Sequence, residues 1–193
     1  MAYTQGRARV TPTSALHAGL HEALPQMART FRDPWWIIGS AAMVLADIPN
    51  VVPQDIDVLC SRRDALQLRE AWIDHVDATY RPADETRFRS AFARFVHLPM
   101  PVEVMGGLEL MTATGWRPVQ VHDDLRFDVA GHEVRVPTLD EQRRILLAFG
   151  RGQNRIAMLR SASKDFDRAG AAGAGTARGR RVHACRLHRL DQA

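Results

Sequence analysis

Leu16, Leu20, Ala23, Leu24 and Met27 recur at three- and four-residue intervals, the spacing of one buried helix face. Ser14, after Pro12, is placed to cap that helix, and Pro25 is expected to kink its last turn. The run Trp35-Trp36-Ile37-Ile38 stops at Gly39-Ser40 and gives way to helix formers from Ala41 to Ala46, which predicts strand, tight turn, helix. Pro49 and Pro53 bracket a loop. Beyond it Asp55-Ile56-Asp57-Val58-Leu59-Cys60 alternates over its first half and reads as a second strand. Ser61 is a cap for a further helix with a stripe at Ala65, Leu66, Leu68, Arg69 and Trp72.

Residues 79–87 are polar and read as loop, and 91–98 alternate as a strand. Pro99 and Pro101 then turn the chain into a short strand, Val102 to Met105, which is expected to end at Gly106-Gly107. Val119 to Val121, Leu125 to Val129 and Glu133 to Val136 read as extended, the last two joined around Ala130-Gly131. Thr138 with Glu141 three residues on forms a capping box for a helix through Ile145, Leu146 and Phe149 that stops at Gly150. Ile156, Met158, Leu159 and Phe166 mark a final helix, and no apolar period follows. The expected organisation is an N-terminal extension (1–13), one domain (14–166) and a Gly-, Ala- and Arg-rich flexible tail (167–193). Fold class is α/β (α+β), a small mixed β-sheet flanked by helices.

Composition narrows the partners. With 46% hydrophobic and 25% charged residues in 193, the chain can bury a core, which excludes disorder throughout. Its net charge of +4 is confined to residues 167–193, where six Arg face two Asp; the rest is balanced. A neutral body gives no global field for polyanions, so nucleic acid is not indicated by it, and any such contact needs a local patch or the tail. Two cysteines, Cys60 and Cys185, imply no disulfide framework. No apolar run is long enough to span a membrane, and the N-terminus lacks a signal-peptide core, so a cytoplasmic location is expected.

The candidate chemistry is acidic. On a strand Asp55 and Asp57 project to the same side while Ile56 and Val58 enter the core. Two like charges so placed call for a cation, and carboxylate oxygens suit Mg²⁺. If the strand of Glu103 is the next neighbour, a third acid joins, and three acids suit two ions. Gly39-Ser40, at a strand-to-helix turn, offers close backbone approach for phosphate oxygens.

In this order, a hydrophobic-Gly-Ser turn (Ile38-Gly39-Ser40), an Asp-hydrophobic-Asp strand (Asp55-Ile56-Asp57) and a hydrophobic-Glu-hydrophobic strand (Val102-Glu103-Val104) resemble the signature of the DNA polymerase beta-like nucleotidyltransferase superfamily. The resemblance covers residues 14–105 best. It implies Asp55 and Asp57 as paired metal ligands, Glu103 as a third acid that binds metal or acts as general base, and Gly39 and Ser40 as holders of the nucleotide phosphates. It also implies a nucleoside triphosphate as substrate, Mg²⁺ as cofactor and an acceptor hydroxyl on an antibiotic, a protein or a tRNA end. The chain departs from the pattern in three respects: fourteen residues separate Ser40 from Asp55, the third acid is Glu103 rather than Asp, and Asn154-Arg155 stands where relatives often carry Lys-Asp.

Other polar residues point less far. Arg62 and Arg63 follow the acidic strand closely enough to meet a triphosphate, against the simpler reading of a solvated helix start. Arg87, Arg89 and Arg94 read as exposed arginines on a sheet face. Trp35, Trp36 and Trp72 read as packing, His97 and His122 have no evident partner, and His183, Cys185 and His188 lack a fourth ligand at zinc spacing. The rival to an enzyme is a non-catalytic module of the same fold, for instance one half of a toxin-antitoxin pair with a partner protein.

Overall fold

The computed structural model describes residues 12–82, 84–150 and 152–172. Most of the expected N-terminal extension and residues 173–193, with His183, Cys185 and His188, lie outside the described residues. The first helix, α1 (Pro12–Thr30), buries the whole expected stripe, Leu16, Leu20, Ala23, Leu24 and Met27. It opens at Pro12, where the missing N–H costs no hydrogen bond, and keeps Pro25 inside its span.

Next come β1 (Trp36–Ile38), α2 (Gly39–Leu45), β2 (Ile56–Cys60), α3 (Arg62–Ala71), a 3₁₀ turn (Ile73–His75) and β3 (Phe88–Phe95). They are followed by β4 (Val102–Thr112), β5 (Gly115–Pro118), β6 (Asp124–Val129), β7 (His132–Pro137), α4 (Leu139–Phe149) and α5 (Gln153–Ala172). The main sheet runs β1-β2-β4-β3, with β5 paired to the far part of β4, and β6 and β7 form a separate hairpin. Among the described residues the β2–β4 pairing is parallel and the others antiparallel, so the sheet is mixed and the fold α+β, as expected. Ile56, Val58, Val102 and Val104 point to one face and share a core with α1 and α3. Ile38, Leu59 and Met105 lie in a second cluster with Ile145 and Phe149 of α4.

The caps of α3 and α4 follow the sequence, whereas α1 starts at Pro12 and takes the expected cap Ser14 inside its span. Ser61 accepts from the Asp64 N–H at 3.2 Å, Thr138 accepts from Glu141 N–H, and Gly150 closes α4 at φ 63°. The strand ends differ from expectation. β4 does not stop at Gly106-Gly107 but runs on to Thr112. A Cβ on Gly106 would sit 2.3 Å from the Ala65 Cβ, so this glycine lets α3 lie against the strand. Gly107, at φ +60°, takes the extra residue of a bulge where pairing to β3 shifts between Arg89 and Ala91. Glycine here bends a strand without ending it. Residues 96–98 leave β3, which starts earlier at Phe88. Val119 and Val121 are not in a strand; they pack against the second cluster. Leu66 leaves the α3 stripe and is 45% exposed. α5 continues past Phe166 to Ala172.

Asp64 ties α3 to the segment ahead of β1. Wholly buried, it accepts from the backbone N–H groups of Arg32 (3.0 Å) and Asp33 (2.8 Å) and from the Arg63 side chain (3.0 Å). Burial alone would raise its pKa, but the hydrogen bonds from Asp33, Arg32 and Arg63 more than offset that and hold it below the usual 3.8. A depressed carboxylate contributes stability above its unfolded pKa and loses it as pH falls through the folded one. Asp64→Ala is expected to cost about 3 kcal/mol at neutral pH. The deficit should shrink as the pH drops below 3.8, which urea denaturation at neutral and acid pH measures.

Candidate active site

Four strands place the candidate residues in one row. Ile38, the last residue of β1, pairs with Asp57, Asp57 pairs with Glu103 across the parallel β2–β4 ladder, and Glu103 pairs with Arg94 on β3. Register partners on adjacent strands share a sheet face, so Asp57, Glu103 and Arg94 project together, opposite the α1 side. Gly39 follows at once and opens α2 with φ +69°. A Cβ on Gly39 would lie 2.1 Å from Asp57 Oδ2, which only glycine avoids in a conformation that L side chains seldom take.

Ile38, Asp57 and Glu103 of this row line a cleft of about 620 Å³ together with Gly39 and Asp55, walled by Ile145, Leu146 and Phe149 of α4. The start of α5 closes one side with Gln153, Asn154 and Arg155. Gln142, also on the wall, donates from Nε2 to the Pro137 carbonyl at 2.8 Å, and its buried Oε1 has no hydrogen-bond partner among the described residues. Ser40, by contrast, is 3% exposed and not among the lining residues. The turn therefore offers Gly39 to the cleft and turns Ser40 inward.

Glu103 carries a raised pKa. Burial first, then the charge of Asp55, pushes its pKa above the usual carboxylate range, while Arg94 and Tyr80 pull against the shift. Arg94 is ion-paired to it, and the Tyr80 hydroxyl donates to it. The Arg94 guanidinium lies 4.5 Å from the centre of the Tyr80 ring, so ring, cation and carboxylate brace one another. Tyr80 is itself pushed up, by burial first and then by Glu103.

Among the described residues no three His, Cys, Asp or Glu side chains are grouped to hold a metal by themselves. That does not count against a magnesium nucleotide, since Mg²⁺ is commonly bound by one or two carboxylates completed by phosphate oxygens and water. Asp55 and Asp57, oxygen donors on one cleft, fit that requirement. Glu103 is engaged with Arg94 and Tyr80.

Two lining groups escaped the sequence reading. Tyr80 sits in a polar loop, where nothing local signals that it reaches the acids. Gln142 lies one residue past the Glu141 of the capping box and carries no signal of its own. Arg94 leaves the role of an exposed sheet arginine for an ion pair with Glu103, and cross-strand register is what puts it there. Trp72 packs as expected, buried, while Trp36 donates from Nε1 to Asp124 at 2.8 Å. Arg63 is held by Asp33 and Asp64. His97 acquires a partner, the stacked ring of His75 at 3.9 Å.

No protein-family model matches the chain, and no curated protein does. Solved structures do. A candidate nucleotidyltransferase from Thermotoga maritima is 18% identical, with a TM-score of 0.56 over 76% of this chain and 90% of that one. An antigenic nucleotidyltransferase-like protein from Paracoccidioides brasiliensis is 12% identical, with a TM-score of 0.44 over 77% of each chain. The antibiotic-resistance factor ANT(2'')-Ia is 13% identical, with a TM-score of 0.33 over 86% of this chain and 96% of that one. With helices and a mixed sheet arranged as in the Thermotoga structure, the chain has a nucleotidyltransferase-like fold.

Proposed function

We propose that this protein is a nucleotidyltransferase that moves a nucleoside monophosphate from a nucleoside triphosphate to an acceptor hydroxyl. The observation that carries the reading is the pairing of Asp57 with Glu103 on adjacent strands, beside the Gly39 turn that ends β1 and in one cleft with Asp55. Asp55 and Asp57 would hold Mg²⁺, which when bound supplies positive charge for the phosphate oxygens and acidifies the attacking hydroxyl. Gly39 lets the triphosphate approach the backbone, with Asn154 and Arg155 as donors from the opposite wall. Ile145, Leu146 and Phe149 give the nucleobase an apolar surface and keep water from the reacting phosphorus.

In the transfer, the acceptor oxygen bonds to the α-phosphorus, the bond to the β-phosphate bridging oxygen breaks and pyrophosphate leaves. Glu103, fixed beside Asp57 by Arg94 and Tyr80, is placed to take the hydroxyl proton. A non-catalytic module has one observation in its favour: Arg94 already supplies Glu103 with a counter-ion. Pyrophosphate release separates the two readings. Transfer predicts release from a triphosphate with Mg²⁺ and an acceptor, abolished by chelation; a module predicts none under any metal condition.

A further inference from the structure

Gln142 is the polar member of the α4 wall, 4% exposed, and the other α4 side chains that line the cleft are Ile145, Leu146 and Phe149. These follow Gln142 by three, four and seven residues, so all four share one helix face. The Gln142 Nε2 is fixed on the Pro137 carbonyl at 2.8 Å; a carbonyl only accepts, so the other end of the amide is the oxygen. That Oε1 is buried and accepts nothing from the described residues. Resting on the nucleotidyl-transfer reading, we infer that Gln142 reads the nucleobase, its Oε1 accepting from the exocyclic amino group of an adenine or cytosine nucleotide.

An orphaned acceptor on a cleft wall calls for a donor brought by the ligand. Burial has already stripped Oε1 of water, so a ligand N–H that reaches it forms a hydrogen bond without competition from solvent, and a ligand that lacks one leaves it orphaned. Ser163 Oγ is the other such side-chain atom among the described residues, and it does not line the cleft. The amide cannot present Nε2 instead without giving up the Pro137 carbonyl, so what it offers is an acceptor. Adenine and cytosine carry an amino donor at one ring position, where hypoxanthine, guanine and uracil carry a carbonyl that would set oxygen against oxygen.

Position along the cleft agrees. Asp57, Glu103 and Phe149 line the cleft and also a second groove of about 820 Å³ beside α3 and β3, so Phe149 marks the part of α4 next to the acids. Gln142 lines the cleft but not the groove. The seven residues between them set it roughly 10 Å back along the helix, about the reach from an α-phosphate across ribose to the far edge of a base. A triphosphate held at Asp55 and Asp57 then lays its base along Leu146 and Ile145, with the amino group at Gln142.

The test titrates the full chain with magnesium complexes of two pairs of nucleotides, ATP against inosine triphosphate and cytidine triphosphate against uridine triphosphate. Within each pair the exocyclic amino group is exchanged for a carbonyl. The wild-type chain should favour the amino member of at least one pair by about tenfold or more, and the pair that shows the preference identifies the base. Gln142→Met keeps the length and volume of the side chain but has no amide oxygen, and should bring that ratio close to one. A side chain that only supported α4 would on removal weaken both members of a pair alike and leave the ratio as it was. The wild-type ratios decide the matter by themselves if the variant does not fold. Equal binding within both pairs, or an unchanged ratio in folded Gln142→Met, overturns the base-reading role and leaves nucleotidyl transfer standing. If the wild-type chain binds none of the four triphosphates, nucleotidyl transfer fails as a reading and the base-reading role fails with it.

Discussion

Asp57→Asn is expected to lower magnesium-dependent pyrophosphate release by at least about a thousandfold, because a bound divalent ion contributes several kcal/mol to such a transition state. Asn keeps the shape of the side chain and one oxygen but loses the charge. The fold should survive. Asp57 is only partly buried, and its charge sits beside Glu103 across the ladder, with Asp55 in the same cleft. Asn is nearly isosteric with Asp, so the thermal midpoint should stay close to that of the wild type. A variant that unfolds, or one that turns over at the wild-type rate, removes Asp57 from the centre of the account.

Gly39→Ala tests the same site through the backbone. Its new methyl would meet Asp57 Oδ2 at 2.1 Å and Cγ at 3.1 Å, on a residue at φ +69°. Something must move, and the candidates are the Asp57 carboxylate and the turn itself. A displacement of about 1 Å in a reacting constellation costs on the order of a hundredfold in rate, and the left-handed backbone adds roughly 1–2 kcal/mol of destabilisation. The expected outcome is a folded protein with a slightly lower denaturation midpoint and a rate reduced at least a hundredfold. Wild-type turnover in Gly39→Ala would mean that this close contact has no part in the chemistry.

What was legible in the sequence were the features that local physics determines. The α1 stripe, the Ser61 and Thr138 caps and the Ala130-Gly131 turn each follow from a spacing or a hydrogen bond within four residues, and each stands in the structure. The acids were legible because alternation puts Ile56 and Val58 in the core and Asp57 on the other face. What escaped depends on contacts between distant segments. Gly106 reads as a strand end until Ala65 of α3 is seen lying on it. Arg94 reads as an exposed arginine until pairing sets it opposite Glu103. Ser40 reads as a phosphate ligand beside Gly39, yet the turn into α2 sends it inward. Tyr80 reaches the acids from a loop whose path no local pattern encodes. Arg62 and Arg69 of α3 follow the same rule: their spacing is visible in the sequence, but only the fold sets them on a groove that Asp57 and Glu103 also line.

Calorimetric titration of the full chain with nucleoside triphosphates tests the central claim most directly, namely that Asp55 and Asp57 hold a magnesium nucleotide in the cleft beside Gly39. Binding in the presence of Mg²⁺ that vanishes on chelation, and vanishes equally in an Asp55→Asn/Asp57→Asn chain, is the predicted result. Binding of the same strength with and without Mg²⁺, or with and without the two carboxylates, would contradict it.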